Sequence, residues 1–162
     1  MKPVASACGR GVKMLSKKSK LHRKRNYLVC EYIANPLLIG GIKFDLRLYI
    51  LVSSYDPLRI YLFEEGLARF ATERYTTDAT ELTKKYVHLT NYAVNKNAPK
   101  FISNKSSDND GEGSKWSLTA LKKYLRDRNL DVASIFERVE DIIIKTCISS
   151  EPYMLDISCK NV

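Results

Sequence analysis

Residues 43–52 alternate strictly enough to fix their own backbone. Phe44, Leu46, Leu48, Ile50 and Val52 fall on one side, and Lys43, Asp45, Arg47 and Tyr49 on the other. Successive side chains of a strand point to opposite faces, so this two-residue period predicts one strand with its apolar face on a core. Tyr55-Asp56-Pro57-Leu58 follows as a turn, because proline fixes one backbone angle. Arg59-Ile60-Tyr61-Leu62-Phe63 then returns as the antiparallel partner. Glu65-Gly66 punctuates before another short strand at 67–72, and upstream the apolar run 27–33, closed by Asn35-Pro36, predicts a buried strand.

The second half changes period. Residues 95–114 are rich in Asn, Lys, Ser, Asp and Gly and predict a mobile loop within the domain. Ser117 fits the N-cap of a helix reaching about residue 128, with Leu118, Leu121 and Leu125 on its buried stripe. Asp131 caps a second helix that carries Val132, Ile135, Val139, Ile142 and Ile143 and is expected to end near Ser149 or Ser150. Strands followed by helices imply an α+β fold with an antiparallel sheet and two C-terminal helices.

Composition narrows the partners. The chain has 162 residues, 44% of them apolar, enough for one domain with a real core. With 27 Lys and Arg against 18 acidic residues the net charge is +9, which favours nucleotide, nucleic acid, acidic membrane or acidic peptide without choosing among them. Residues 14–25 concentrate Lys17, Lys18, Lys20, Arg23, Lys24 and Arg25 around His22, either as a solvated loop or as an edge that attracts phosphate or an acidic tail. No aromatic residue occurs between 13 and 25, which argues against a nucleic-acid-binding domain. No apolar run suits a signal peptide or a membrane span, so a cytosolic address and no membrane partner are expected. Cys8, Cys30, Cys147 and Cys159 show no metal-ligand spacing and are expected to be reduced and unpaired, with no zinc.

Three segments could carry chemistry. Lys2 precedes a small-residue loop containing Cys8-Gly9-Arg10-Gly11, whose backbone N–H groups could approach phosphate, although it fits no P-loop or dinucleotide pattern and an ordinary turn also explains it. Lys43, Asp45 and Arg47 share a strand face at intervals of about 6 to 7 Å. A carboxylate between two cations can accept ribose hydroxyls while the cations meet phosphate or an acyl phosphate, yet a solvated sheet face accounts for the same pattern. His88-Leu89-Thr90-Asn91-Tyr92 offers a hydroxyl and an amide to phosphate or substrate, or simply a capped turn.

In order and spacing, Lys2-Pro3-Val4-Ala5-Ser6-Ala7, Gly9-Arg10-Gly11, Tyr32-Ile33-Ala34-Asn35-Pro36-Leu37-Leu38-Ile39, Lys43-Phe44-Asp45-Leu46-Arg47, Tyr55-Asp56-Pro57-Leu58, Glu65-Gly66-Leu67-Ala68-Arg69-Phe70 and His88-Leu89-Thr90-Asn91-Tyr92 resemble the tubulin tyrosine ligase-like family across about residues 2–154. Within it the chain looks most like the polyglutamylases. The resemblance implies an incomplete ATP-grasp fold: residues 1–36 in the central subdomain with phosphate loop and hinge strand, 37–154 in the C-terminal subdomain, and 155–162 as a tail unlike the family. It implies ATP with Mg2+, free L-glutamate as donor, and acceptor glutamates in the acidic tails of tubulin and microtubules, joined through an acyl phosphate. Lys2 and Arg47 would act on the transferring phosphate. Nucleotide would be met by Lys2, Cys8, Gly9, Cys30, Glu31, Tyr32, Ile33, Lys43, Asp45, Thr90 and Asn91, and the amino acid by Arg69, Tyr92, Ala93 and Lys115. The cytoskeleton, with cilium or basal body, is the implied setting.

Two departures shape the expectation. Cys8 stands where the family usually has arginine, removing one phosphate-side cation. The acidic strand and Glu-x-Asn motif that hold magnesium in the family are not found before residue 162. The chain is therefore expected to be a segment that does not catalyse alone, with exposed sheet edges. A non-catalytic microtubule-binding or dominant-negative fragment is the alternative, and a nucleic-acid-binding domain a remote one.

Overall fold

A computed structural model describes residues 1–16, 19–20, 26–103 and 110–160, with side chains to residue 155. Of the basic run, Lys17, Lys18, His22, Arg23, Lys24 and Arg25 lie outside the described residues. The architecture is α+β, with twelve described elements in two compact units, residues 1–46 with 68–116 and residues 47–67 with 117–162. The expected subdomain boundary after residue 36 falls inside the first unit.

The first unit holds an antiparallel pair, β1 (Lys2–Pro3) with β2 (Tyr27–Leu28), and most of a sheet ordered β3 (Leu38–Ile39), β4 (Ile42–Arg47), β7 (Leu67–Phe70) and β8 (Lys115–Ser117). Two one-turn helices follow, α1 (Lys85–His88) and α2 (Tyr92–Asn95). The buried strand expected at 27–33 is not there: only Tyr27 and Leu28 pair, and Val29 and Ile33 are 54% and 76% exposed. Their partner β1 is two residues long and includes Pro3, which has no N–H to donate, so the ladder stops where its partner does. The core gathers Ile39, Ala68, Phe70, Ala71, Val87 and Ala98, with Phe70 stacked 4.7 Å from Trp116 and 5.6 Å from Phe44. Of the stretch 95–114, Asn95, Ala98 and Ser114 are buried, and 104–109 lie outside the described residues.

The second unit takes up the other half of the alternating segment. Residues 43–52 are two strands rather than one, β4 and then β5 (Ile50–Tyr55). Alternation encodes two faces but not where a strand changes partner. The change comes at Leu48 and Tyr49, where the Tyr49 carbonyl accepts from the Phe63 N–H at 3.0 Å. Gly66 backs against this corner, since a Cβ there would lie 2.5 Å from the Arg47 carbonyl oxygen. β5 pairs antiparallel with β6 (Leu58–Leu62), Ile50 opposite Leu62 and Tyr55 opposite Leu58, across the expected turn at Asp56-Pro57.

Helix α3 (Leu118–Arg126) begins as its sequence requires, with the Ala120 N–H donating to Ser117 Oγ at 3.0 Å. Leu118, Leu121 and Leu125 are 1–2% exposed. Asp131 Oδ1 accepts from the Ser134 N–H at 3.1 Å ahead of α4 (Val132–Lys160). This helix runs past Ser149 and Ser150 instead of stopping there. Both hydroxyls donate back to carbonyls of the preceding turn, Thr146 and Cys147, at 2.8 and 2.9 Å, so they are satisfied within the helix. Ile142, one of the apolar residues it carries, is 63% exposed. Among the described residues no helix is long and apolar enough to cross a membrane.

Candidate functional site

The first unit contains an open cavity of about 420 Å3, within the range of small-ligand sites. Its walls come from β1 (Lys2), the glycine loop's far end (Val12 to Leu15), the segment 28–32, β4 (Lys43) and α1 (His88). Five of the residues expected to meet nucleotide, Lys2, Cys30, Glu31, Tyr32 and Lys43, therefore share one cavity. The strand ends after Leu28, so the backbone groups of 29–33 are not all committed to a ladder.

A hydrogen-bonded chain stiffens one wall. Lys43 Nζ donates to Tyr32 Oη at 3.2 Å and sits 4.6 Å over the Tyr32 ring. Tyr32 Oη lies 3.1 Å from His88 Nδ1, and His88 Nε2 lies 3.3 Å from the Glu81 carbonyl oxygen. The Glu81 carbonyl can only accept, so Nε2 of the neutral ring carries the proton and Nδ1 accepts from the Tyr32 hydroxyl. Burial lowers the pKa of His88, and Lys43 nearby pushes it the same way. Burial also lowers Lys43, partly offset by Asp45, and raises Tyr32 well above its ordinary value with help from Tyr75. Tyr75 and Tyr32 both meet the His88 ring edge to face, at 5.9 and 5.7 Å between centroids.

Asp45, the next polar position on β4, is engaged differently. Arg69 on β7 grips its carboxylate with two donors, Nε to Oδ1 at 3.0 Å and Nη2 to Oδ2. A residue expected at nucleotide and one expected at the amino acid are thus paired with each other. Such a fork fixes the guanidinium plane. Arg47 belongs to the second unit, where it is exposed with its guanidinium 5.5 Å from the Tyr49 ring centre.

The glycine loop turns back on the Thr90-Asn91 segment. Gly9 has φ +76°, and a Cβ on it would stand 2.7 Å from Asn91 Oδ1, so only glycine combines this backbone with this approach. Its neighbour Cys8 takes the same left-handed region at φ 59° although it is not glycine, a strained position in an exposed loop. Asn91 occupies the N-cap position of α2 but its side chain makes no cap bond, so a capped turn does not explain it. Thr90 beside it is buried. The Leu89 and Asn91 carbonyls on either side of it are held by Asn95, whose buried amide donates to them at 2.7 and 3.1 Å and accepts from Thr72. Lys115 Nζ stands 4.7 Å over the Tyr92 ring, which brings together two residues expected at the amino acid; Ala93 beside them is exposed, as is Ile33.

His88, Tyr75 and Asn95 had no assigned role in the sequence reading. His88 and Tyr32 are 56 residues apart, and no local pattern announces their contact. Among the described residues no three His, Cys, Asp or Glu side chains gather at one point.

The tubulin-tyrosine ligase family model matches residues 1–162, including 155–162. Tubulin polyglutamylase TTLL5 of Homo sapiens is 49% identical over 151 residues, 93% of this chain and 12% of that protein. Tubulin monoglutamylase TTLL4 of Mus musculus is 45% identical over 157 residues, 97% and 13% respectively. Tubulin polyglutamylase TTLL7 of Mus musculus is 39% identical over 156 residues, 96% and 17%. The chain thus spans between 12% and 17% of the length of these curated relatives. A match along every residue, with three such relatives, leaves one assignment: this chain belongs to the tubulin-tyrosine ligase family.

Proposed function

We propose that this chain is the nucleotide-binding and donor-binding part of a tubulin polyglutamylase of the ATP-grasp kind. The observation that carries the reading is the cavity of about 420 Å3 that brings Lys2, Cys30, Glu31, Tyr32 and Lys43 together from three separate stretches of sequence. Apolar walls such as Val12, Leu28 and Leu89 suit a purine, and the two lysines suit its phosphates. ATP supplies the phosphoryl group that turns an acceptor carboxylate into an acyl phosphate for attack by the donor amine.

The chain's own residues then divide the work. Lys2 and Lys43 counter phosphate charge, and Gly9 brings the loop down on Asn91. Asp45 aims Arg69, whose positive charge suits the carboxylate of free glutamate, and Lys115 over Tyr92 adds a second cation for it. Arg47 would stabilise the transferring phosphate. The net charge of +9 suits the acidic tails of tubulin, with binding that weakens with salt, and the family resemblance makes microtubules, with cilia as the setting, the proposed location. On this reading these residues bind ATP and glutamate, and the family's Glu-x-Asn segment would hold the magnesium that the ligation needs.

The test is glutamate incorporation into microtubules with ATP and magnesium, run on this chain beside a version extended by the family's magnesium-binding segment. Incorporation by the extended chain alone supports the reading. Incorporation by both overturns the metal argument. Incorporation by neither, with both folded and both binding tubulin tails, favours the binding-only alternative.

A further inference from the structure

We propose that His88 is a positioning residue: acting through the Tyr32 hydroxyl, it holds the Lys43 ammonium at the cavity wall and so sets the affinity of that cavity for nucleotide. The inference rests on the nucleotide reading given above and adds a residue to which that reading assigns nothing.

His88 is 3% exposed, yet it lines the cavity and is bonded at both ring nitrogens. Buried polar groups are kept where every partner is satisfied, and here the pattern runs in one direction only. Lys43 donates to Tyr32, Tyr32 to His88, and His88 to the Glu81 carbonyl. Each link orients the one before it. Without an acceptor at Nδ1, the Tyr32 hydroxyl would keep only Tyr75 to direct it, and Lys43 would lose an oxygen held in place for it. The Tyr32 and Tyr75 rings grip the imidazole from two sides, which leaves it one orientation.

The relay also has a pH limit. The groups facing His88 are the Tyr32 hydroxyl, the Tyr75 ring, the Glu81 carbonyl with its carboxylate nearby, and Lys43 beyond Tyr32; Lys13, Lys84 and Lys85 share the wall of a neighbouring cavity of about 270 Å3 with it. Protonation would turn Nδ1 into a donor aimed at a hydroxyl already occupied by an ammonium. Because burial holds the His88 pKa below its ordinary value of 6.5, the relay is intact at neutral pH and fails only on acidification below that value.

The experiment is a titration of the 162-residue chain with ATP, comparing wild type with His88→Phe, His88→Asn and Tyr32→Phe. His88→Phe and Tyr32→Phe are each expected to weaken ATP binding about tenfold. His88→Asn, whose Oδ1 can stand in for Nδ1, is expected to stay within about threefold of wild type at neutral pH. Its ratio to wild type should change only as pH falls below 6.5, a comparison that removes the nucleotide's own titration. A folded His88→Phe chain that binds ATP like wild type overturns the proposal, as does an Asn variant no better than Phe. Should the His88 variants fail to fold, Tyr32→Phe decides alone, since it keeps the ring and removes only the hydroxyl. If wild type binds no ATP, the nucleotide reading fails. Nitrogen NMR of ligand-free His88 then tests the relay: an Nε2–H tautomer at neutral pH supports it, and an Nδ1–H tautomer or an imidazolium overturns it.

Discussion

Both compact units bury apolar side chains, and the first buries polar ones beside them. Thr72, His88, Thr90, Asn95 and Ser114, the buried polar residues among those described, all belong to the first, whereas the second buries Leu118, Leu121, Leu125, Val132 and Cys147. An apolar core tolerates exchange of one side chain for another of similar volume. A buried polar group is tolerated only when its partners stand in fixed places, because leaving it unpaired costs about 1–3 kcal/mol. The first unit's interior therefore fixes geometry as well as giving cohesion, whereas the buried residues described in the second give cohesion. The candidate cavity lies where geometry is held.

If that contrast is right, the largest stability change comes from the second unit and leaves the site alone. Leu121 is 1% exposed, and Leu121→Ala is expected to lower stability by about 3 kcal/mol through lost burial and the cavity left behind. Denaturant titration reads that loss. ATP affinity per folded molecule should stay at the wild-type value, and a parallel loss of affinity would break the division between the units.

A polar deletion in the first unit should do both. Asn95→Ala removes two donors and one acceptor from a residue 1% exposed, leaving the Leu89 and Asn91 carbonyls and the Thr72 hydroxyl short of a partner. The expected cost is about 2 kcal/mol, with weakened ATP binding because Asn91 loses its support. Gly9→Ala is expected to cost less, about 1 kcal/mol, from its positive φ and the approach to Asn91. Its effect on ATP affinity should exceed its effect on the denaturation midpoint. Equal effects would mean that the loop is only a turn.

The same contrast decides what could be read from sequence. Helix α3 was legible because its cap, Ser117, and its stripe, Leu118, Leu121 and Leu125, lie within nine residues and answer to one period. The β5–β6 hairpin was legible because Asp56-Pro57 separates two runs of strand formers. Alternation hid the break at Leu48 and Tyr49, since both halves keep the same period while changing partners. Ser149 and Ser150 suggest a helix end until their hydroxyls are seen to bond back to the preceding turn. In the site, Lys43 and Asp45 stood out by spacing, whereas Cys30 to Tyr32 came only from family resemblance. His88 stayed invisible because its partner is 56 residues away and a hydrogen bond across that distance leaves no mark on composition or period.

The smallest expected effect probes a polar link of the first unit that is only partly buried. Asp45 and Arg69 keep 35% and 22% of their side chains exposed, so solvent screens the pair and its contribution to stability should be slight, about 0.5 kcal/mol in a double-mutant cycle of Asp45→Asn with Arg69→Gln. Its value lies in orientation. With two of its donors on Asp45, the guanidinium is held in one plane, and loosening it should weaken glutamate binding several times more than it lowers stability. Isothermal titration with glutamate, in the presence of ATP, measures this on the Asp45→Asn chain. A wild-type glutamate affinity in that variant would show that Arg69 needs no aiming, and that the buried relay at His88 is the part of this unit on which position depends.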